Sequence, residues 1–158
     1  MTDATLCRAV TVFAAAHFQA VHGPSTHQID IYALKGMVIS SINESLLSST
    51  RSISDEIIGA IIKLAAFEGL FGDRNACEMH MKGLGQIVLL RGGLPSLGLH
   101  GLLERMLLWT DANASRAAGF DLFFDKSDFP TAVPHPQPDP YWMSAARHDS
   151  IAMSSTRG

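Results

Sequence analysis

Glu68, His80 and Asp111 are the ionisable residues of this sequence whose types could combine in one chemical site. They fall on three consecutive predicted helices and would converge if those helices pack together. Two carboxylates and an imidazole could bind zinc or supply a general base. Such a site would make the chain a small helical metal-dependent enzyme.

The spacing of these residues does not support the hypothesis of a metal-dependent enzyme, since the sequence has no H-E-x-x-H or H-x-x-x-H pair. A neutral histidine that bridges helices is commoner in a helical core. We therefore predict that the chain has no catalytic residues, no metal site and no cofactor. The enzyme built on Glu68, His80 and Asp111 is kept as the alternative.

The segment R-G-G-L-P-S-L-G, residues 91–98, could hold a phosphate or end a helix. A phosphate loop places backbone N–H groups at the start of a helix that follows a strand, whereas these glycines follow a helical period. Gly92 and Gly93 can adopt the positive φ that ends a helix, and Arg91 suits the negative end of the helix dipole. We predict a corner between two packed helices.

Composition restricts the classes of protein and partner. The 158 residues suit one domain, and 47% of them are hydrophobic, but no uninterrupted apolar run reaches the length of a membrane span, so we expect no membrane contact. The net charge of −3 provides no electrostatic footprint for nucleic acid. The N-terminus does not have the pattern of a secretory signal, which predicts an intracellular protein.

Apolar residues recur every three or four positions along most of the sequence, which predicts helices. A stripe with Gly83 on the fourth helix predicts a close approach of another backbone there. The predicted helices run from Asp3 to Gly23, from Ile31 to Leu46, from Ser52 or Ser54 to Gly69 or Gly72, from Asp73 or Asn75 to Arg91, and from the segment 95–99 to Asn113.

The composition changes near Phe129, where five prolines follow within eleven residues. Proline lacks a backbone N–H and fixes φ, so this stretch favours an extended or disordered chain. We predict an all-α domain over residues 1–129, with about five helices packed as an irregular bundle, and a proline-rich, flexible tail over residues 130–158.

Four stretches together resemble the regulatory domain of fungal zinc-cluster transcription factors. They are L-A-A-F-E-G-L-F-G-D at residues 64–73, H-M-K-G-L at 80–84, V-L-L-R-G-G-L at 88–94 and L-W-T-D at 108–111. The similarity extends from about Leu6 to Phe129. It implies framework roles for His80, Gly83, Arg91, Gly92, Gly93, Trp109 and Asp111.

The resemblance implies a non-catalytic, nuclear domain that regulates transcription or binds other proteins. The six-cysteine module with which that family contacts DNA is absent, because the chain has two cysteines. We therefore expect no direct contact with nucleic acid. Protein partners or self-association are expected, and a pocket or groove between helices would recognise either a partner or a small-molecule effector. For Arg91 we expect bonds to terminal carbonyls or a pair with Asp111.

Overall fold

The computed structural model describes residues 3–24, 29–48 and 53–146. All regular secondary structure in these ranges is helical, which confirms the predicted all-α fold. The helices are α1 (Asp3–His22), α2 (Ile31–Ser48), α3 (Asp55–Phe71), α4 (Arg74–Arg91), a 3-10 turn (Leu94–Ser96), α5 (Leu102–Thr110) and a π turn (Asp111–Ser115).

Helix α3 is the centre of the bundle. Its apolar residues surround the whole helix, and most of them are buried against α1, α4, α5 and the π turn. The main core includes Ile58, Ile62, Leu84 and Leu107 from three of these helices. Helices α1, α4 and α5 thus pack chiefly onto α3, whereas α2 packs mainly against α1.

Short polar residues begin α3 and α4. The Ser54 hydroxyl accepts a hydrogen bond from the Ile57 N–H at 3.3 Å, so this serine is the cap of α3; Ser52, the other predicted cap, lies outside the described residues. Asp73 caps α4 through the N–H groups of Asn75 and Ala76, at 2.7 and 3.0 Å. Each cap satisfies N–H groups that have no partner within the helix.

Helix α5 differs from its predicted boundaries. Leu99, His100 and Gly101 have φ values of 55°, 53° and 80°, so three successive left-handed residues delay the helix until Leu102. The helical chain also continues past the predicted end at Asn113, through the π turn and two further helical residues, to residue 117.

The close approach of two backbones occurs at Gly69 instead of Gly83. A Cβ atom built on Gly69 would lie 2.6 Å from both the Cβ and the carbonyl oxygen of Ala114, whereas one built on Gly83 would have no described atom within 4 Å beyond its chain neighbours and the backbone of its own helix. The prediction for Gly83 is therefore wrong. Glycine at position 69 lets α3 touch the π turn.

Residues 130–146 lie against the helices. The Asp139 N–H donates to the Asn113 side chain at 2.7 Å, and the Thr131 hydroxyl bonds to Glu104. Residues 140–146 form a short helix that carries Trp142. The remainder of the predicted tail, residues 147–158, lies outside the described residues, and the domain division at Phe129 stays a prediction.

Candidate functional site

Gly92 and Gly93 form the turn that ends α4. Gly92 is left-handed, with φ of 100°, and Gly93 has φ of 107°. Their N–H groups donate to the carbonyls of Leu89 and Val88, at 3.1 and 2.8 Å. These amides close the helix, so they do not point at an anion. The segment has the geometry of a corner between helices.

Arg91 connects this corner to the start of α3. Its Nη1 donates to the Ile53 carbonyl at 2.8 Å, and its Nη2 to Asp55 Oδ1 at 2.7 Å. The predicted pair between Arg91 and Asp111 is wrong, because Arg91 pairs with Asp55 and Asp111 bonds to Ser115 and to the amides of Phe123 and Phe124.

Asp111 is buried in the π turn, where it holds the following loop. Its two carboxylate oxygens accept from the N–H groups of Phe123 and Phe124, at 2.9 and 2.8 Å, and one also accepts from Ser115 Oγ at 3.2 Å. Burial raises the pKa of Asp111, while these hydrogen bonds and the nearby His135 oppose the rise. The carboxylate is a structural anchor.

Glu68 joins three helices. It forms an ion pair with Lys35 on α2 and accepts from the Asp73 N–H at 2.6 Å, which fixes the start of α4. The residue also borders a cleft of about 950 Å³ between the ends of α1, α2 and α3. Its Oε1 faces the Lys35 ammonium in the ion pair, and its Oε2 accepts the Asp73 N–H.

His80 is half-buried on α4, within electrostatic reach of Glu68 and Lys35. Burial lowers the pKa of His80 and Lys35 lowers it further, while Glu68 raises it. The three residues of the enzyme alternative do not assemble into a metal centre: within the three described ranges, no group of three His, Cys, Asp or Glu side chains is arranged to hold a metal ion.

Cys77 lies near two of these acids and is buried on α4. Burial raises the pKa of its thiol to about 12, and the charges of Glu68, Asp111 and Glu78 add to the rise. A thiol with such a pKa is protonated at neutral pH and a poor nucleophile. The residue therefore acts as a small apolar group of the core.

Trp109 lies at an aromatic pocket between α1, α3, α5 and the helix 140–146. Its ring is perpendicular to that of Trp142, with centroids 5.3 Å apart, and the Lys63 ammonium lies 5.9 Å from its centroid. We call this cavity, of about 410 Å³, the Trp109 pocket. It is lined by Phe13, Lys63, Leu102, Arg105, Met106, Trp109 and Trp142.

The sequence analysis singled out Trp109 as a framework residue. It did not identify Lys63, Arg105 and Trp142, which line the same pocket. Lys63 was detectable as the single cation in the apolar sequence of α3. Trp142 falls in the stretch predicted to be flexible, so nothing in the local pattern indicated that it reaches Trp109.

Helix α1 has an apolar outer face. Val10, Phe18 and Val21 are exposed on it, and only 22% of the residues in its most apolar stretch are buried. Among the described residues, its segment Ala4–His22 is the one helix long and apolar enough to cross a membrane, by length and composition alone. Core helices of other proteins meet the same criteria, so the absence of membrane contact stays a prediction.

The described residues define a helical scaffold in which Glu68 and Asp111 bond to other helices and loops of the chain. The family model of the fungal specific transcription factor domain matches residues 1–156, and the chain belongs to that family, as the sequence resemblance predicted. No curated protein and no solved structure matches the chain. It is thus a domain of transcription regulation and, by resemblance, a nuclear protein; the family is typically non-enzymatic.

Proposed function

We propose that the chain is a non-catalytic regulatory domain that acts by binding a second copy of itself through the outer face of α1. The proposal includes no direct contact with nucleic acid, consistent with the net charge of −3. The observation that carries it is the exposed apolar surface of α1, where Phe18 is 53% exposed. Contiguous exposed apolar surface is typical of interaction sites.

The charge pattern of α1 favours a second copy as the partner. No Asp, Glu, Lys or Arg lies between Arg8 and His22, so two such faces do not repel one another. In a two-fold dimer the same patch is used on both chains, and it must therefore be compatible with itself. An uncharged apolar helix face meets that condition.

The bonds of the buried acids support a non-catalytic role. A general base needs an oxygen that can reach a substrate. Glu68 and Asp111 are 2% and 1% exposed, and their oxygens face Lys35 and backbone amides of the chain. Glu68 and Asp111 therefore stabilise the fold by connecting helices and loops.

A tethered reporter assay tests the proposed function. The full chain is fused to an unrelated DNA-binding domain in fungal cells, and transcription of a reporter is compared with that given by the DNA-binding domain alone. We expect the fusion to change transcription, Phe18→Asp to abolish that change, and Leu90→Asp to preserve it. Leu90 is a matched control because it is exposed and apolar but lies on α4.

Two results would contradict the proposal. A wild-type fusion that leaves transcription unchanged would remove the regulatory role. A Phe18→Asp fusion with wild-type activity, at equal protein abundance, would show that the α1 face is not used.

A further inference from the structure

Lys63 is a half-buried cation that has no acidic partner among the described residues. Its ammonium lies 4.9 Å from the ring centroid of Phe13 and 5.9 Å from that of Trp109. No carboxylate pairs with it in the part of the chain that the structure describes. Burial lowers the pKa of Lys63, as expected where a positive charge has lost water without gaining a counter-ion.

Arg105 supplies a second cation to the same pocket. It lies on α5, one turn before Trp109, and it too has no carboxylate partner among the described residues. The described residues that line the pocket include no acidic residue. Lys63 on α3 and Arg105 on α5 thus bring two cationic side chains to the lining of one pocket.

The other walls of the Trp109 pocket are apolar. Trp109 and Trp142 stand perpendicular to each other, and Phe13, Leu102 and Met106 complete the lining. The volume of about 410 Å³ falls within the usual size of small-molecule sites, roughly 300–1,000 Å³. Such walls recognise a hydrocarbon or aromatic body, and methionine adapts to its shape.

We propose that the Trp109 pocket binds a small organic acid, with its carboxylate at Lys63 and Arg105 and its apolar body between the two tryptophans. This inference goes beyond self-association, since the pocket is complete within one chain. Trp142 belongs to the helix 140–146, whereas the other lining residues belong to α1, α3 and α5. A ligand in contact with both parts stabilises the packed position of that helix.

Intrinsic fluorescence provides a direct test, because both tryptophans of the chain line this pocket. The full chain is titrated with 3-phenylpropanoate, whose phenyl ring absorbs at shorter wavelength than indole, and with the neutral 3-phenylpropanamide. We expect saturable binding of the carboxylate and at least about tenfold weaker binding of the amide, because charge-assisted bonds are lost.

Lys63→Met and Arg105→Met test the position of the carboxylate. Each is expected to weaken carboxylate binding at least about tenfold and to leave amide binding unchanged. Lys82→Met is the matched control, because it also removes one positive charge but from the exposed Glu78 pair on α4. Thermal unfolding of each variant checks that it is folded; Arg105 is exposed, so its replacement keeps the test valid if Lys63→Met does not fold.

The proposal is overturned if no saturable carboxylate binding occurs up to the solubility of the probe. It is equally overturned if acid and amide bind alike, or if folded Lys63→Met and Arg105→Met both bind the acid as wild type does. These outcomes are independent of the reporter assay, which depends on the α1 face.

Discussion

Arg91 in the last turn of α4 and Asp55 in the first turn of α3 form an ion pair, with 2.7 Å between Nη2 and Oδ1. The same guanidinium donates to the Ile53 carbonyl just before α3. Both groups are partly shielded from water. This pair holds two helix ends together where Gly92 and Gly93 turn the chain.

Replacing Arg91 with Met should therefore lower the free energy of unfolding by about 1–2 kcal/mol, because two charge-assisted bonds are lost. Lys82→Met removes a more exposed pair on the surface of α4 and should cost less than about 0.5 kcal/mol. Urea unfolding of the two variants measures the difference. Equal stabilities would contradict a structural role for Arg91.

Gly69→Ala should destabilise the fold by about 1–3 kcal/mol, because the added methyl group collides with Ala114 of the π turn. The matched control is Gly83→Ala, whose methyl group enters open space on a helix and should add about 0.5–1 kcal/mol. Thermal melting of both variants tests whether Gly69→Ala lowers the melting temperature and Gly83→Ala raises it. A neutral Gly69→Ala would show that the two backbones are farther apart.

Asp111→Ala should lower the free energy of unfolding by about 2–3 kcal/mol, because it leaves buried donors without an acceptor. Hydrogen exchange gives the more specific reading, since the amides of Phe123 and Phe124 should lose protection before the core does. Asp121→Ala, at an exposed position, is the control. Unchanged protection at both phenylalanines would exclude Asp111 as the anchor of this loop.

His80 should make stability fall as the solution is acidified. Its pKa in the folded chain lies below the ordinary 6.5, lowered by burial and by Lys35 against the opposing effect of Glu68. Just below pH 6.5 the unfolded chain therefore binds the proton more readily than the folded one. The contribution of neutral His80 is complete above pH 6.5 and is lost as pH falls toward the folded-state pKa.

His80→Gln should remove this dependence. The wild type should lose free energy of unfolding relative to the variant as pH decreases below 6.5, as measured by urea unfolding at several pH values. His22→Gln controls for removal of an exposed imidazole at the end of α1. A wild-type-minus-variant difference that is constant or increases on acidification would contradict the assignment.

The local sequence pattern was sufficient to predict those structural features that depend on residues close together in the sequence. Apolar periodicity located the helices, Asp73 was identified as one of two caps for α4, and the paired glycines marked its end. The start of α5 was not predictable in this way, because Leu99 and His100 adopt left-handed conformations that their residue types do not favour.

Relationships between distant segments required the structure. Arg91 and Asp55 are 36 positions apart, and several acids were equally suitable partners by residue type. The close approach at Gly69 depends on where Ala114 lies, which the spacing of small residues on α4 does not reveal. For the same reason Trp142 could not be assigned to the pocket of Trp109.

The molar mass of the chain as a function of concentration tests the central claim, self-association through α1, most directly. Light scattering should show the wild type moving from 17.0 kDa toward twice that mass as concentration rises, with Leu90→Asp following the same curve and Phe18→Asp remaining at the mass of one chain. A wild type that stays at 17.0 kDa throughout, or a Phe18→Asp variant that dimerises equally well, would contradict the account.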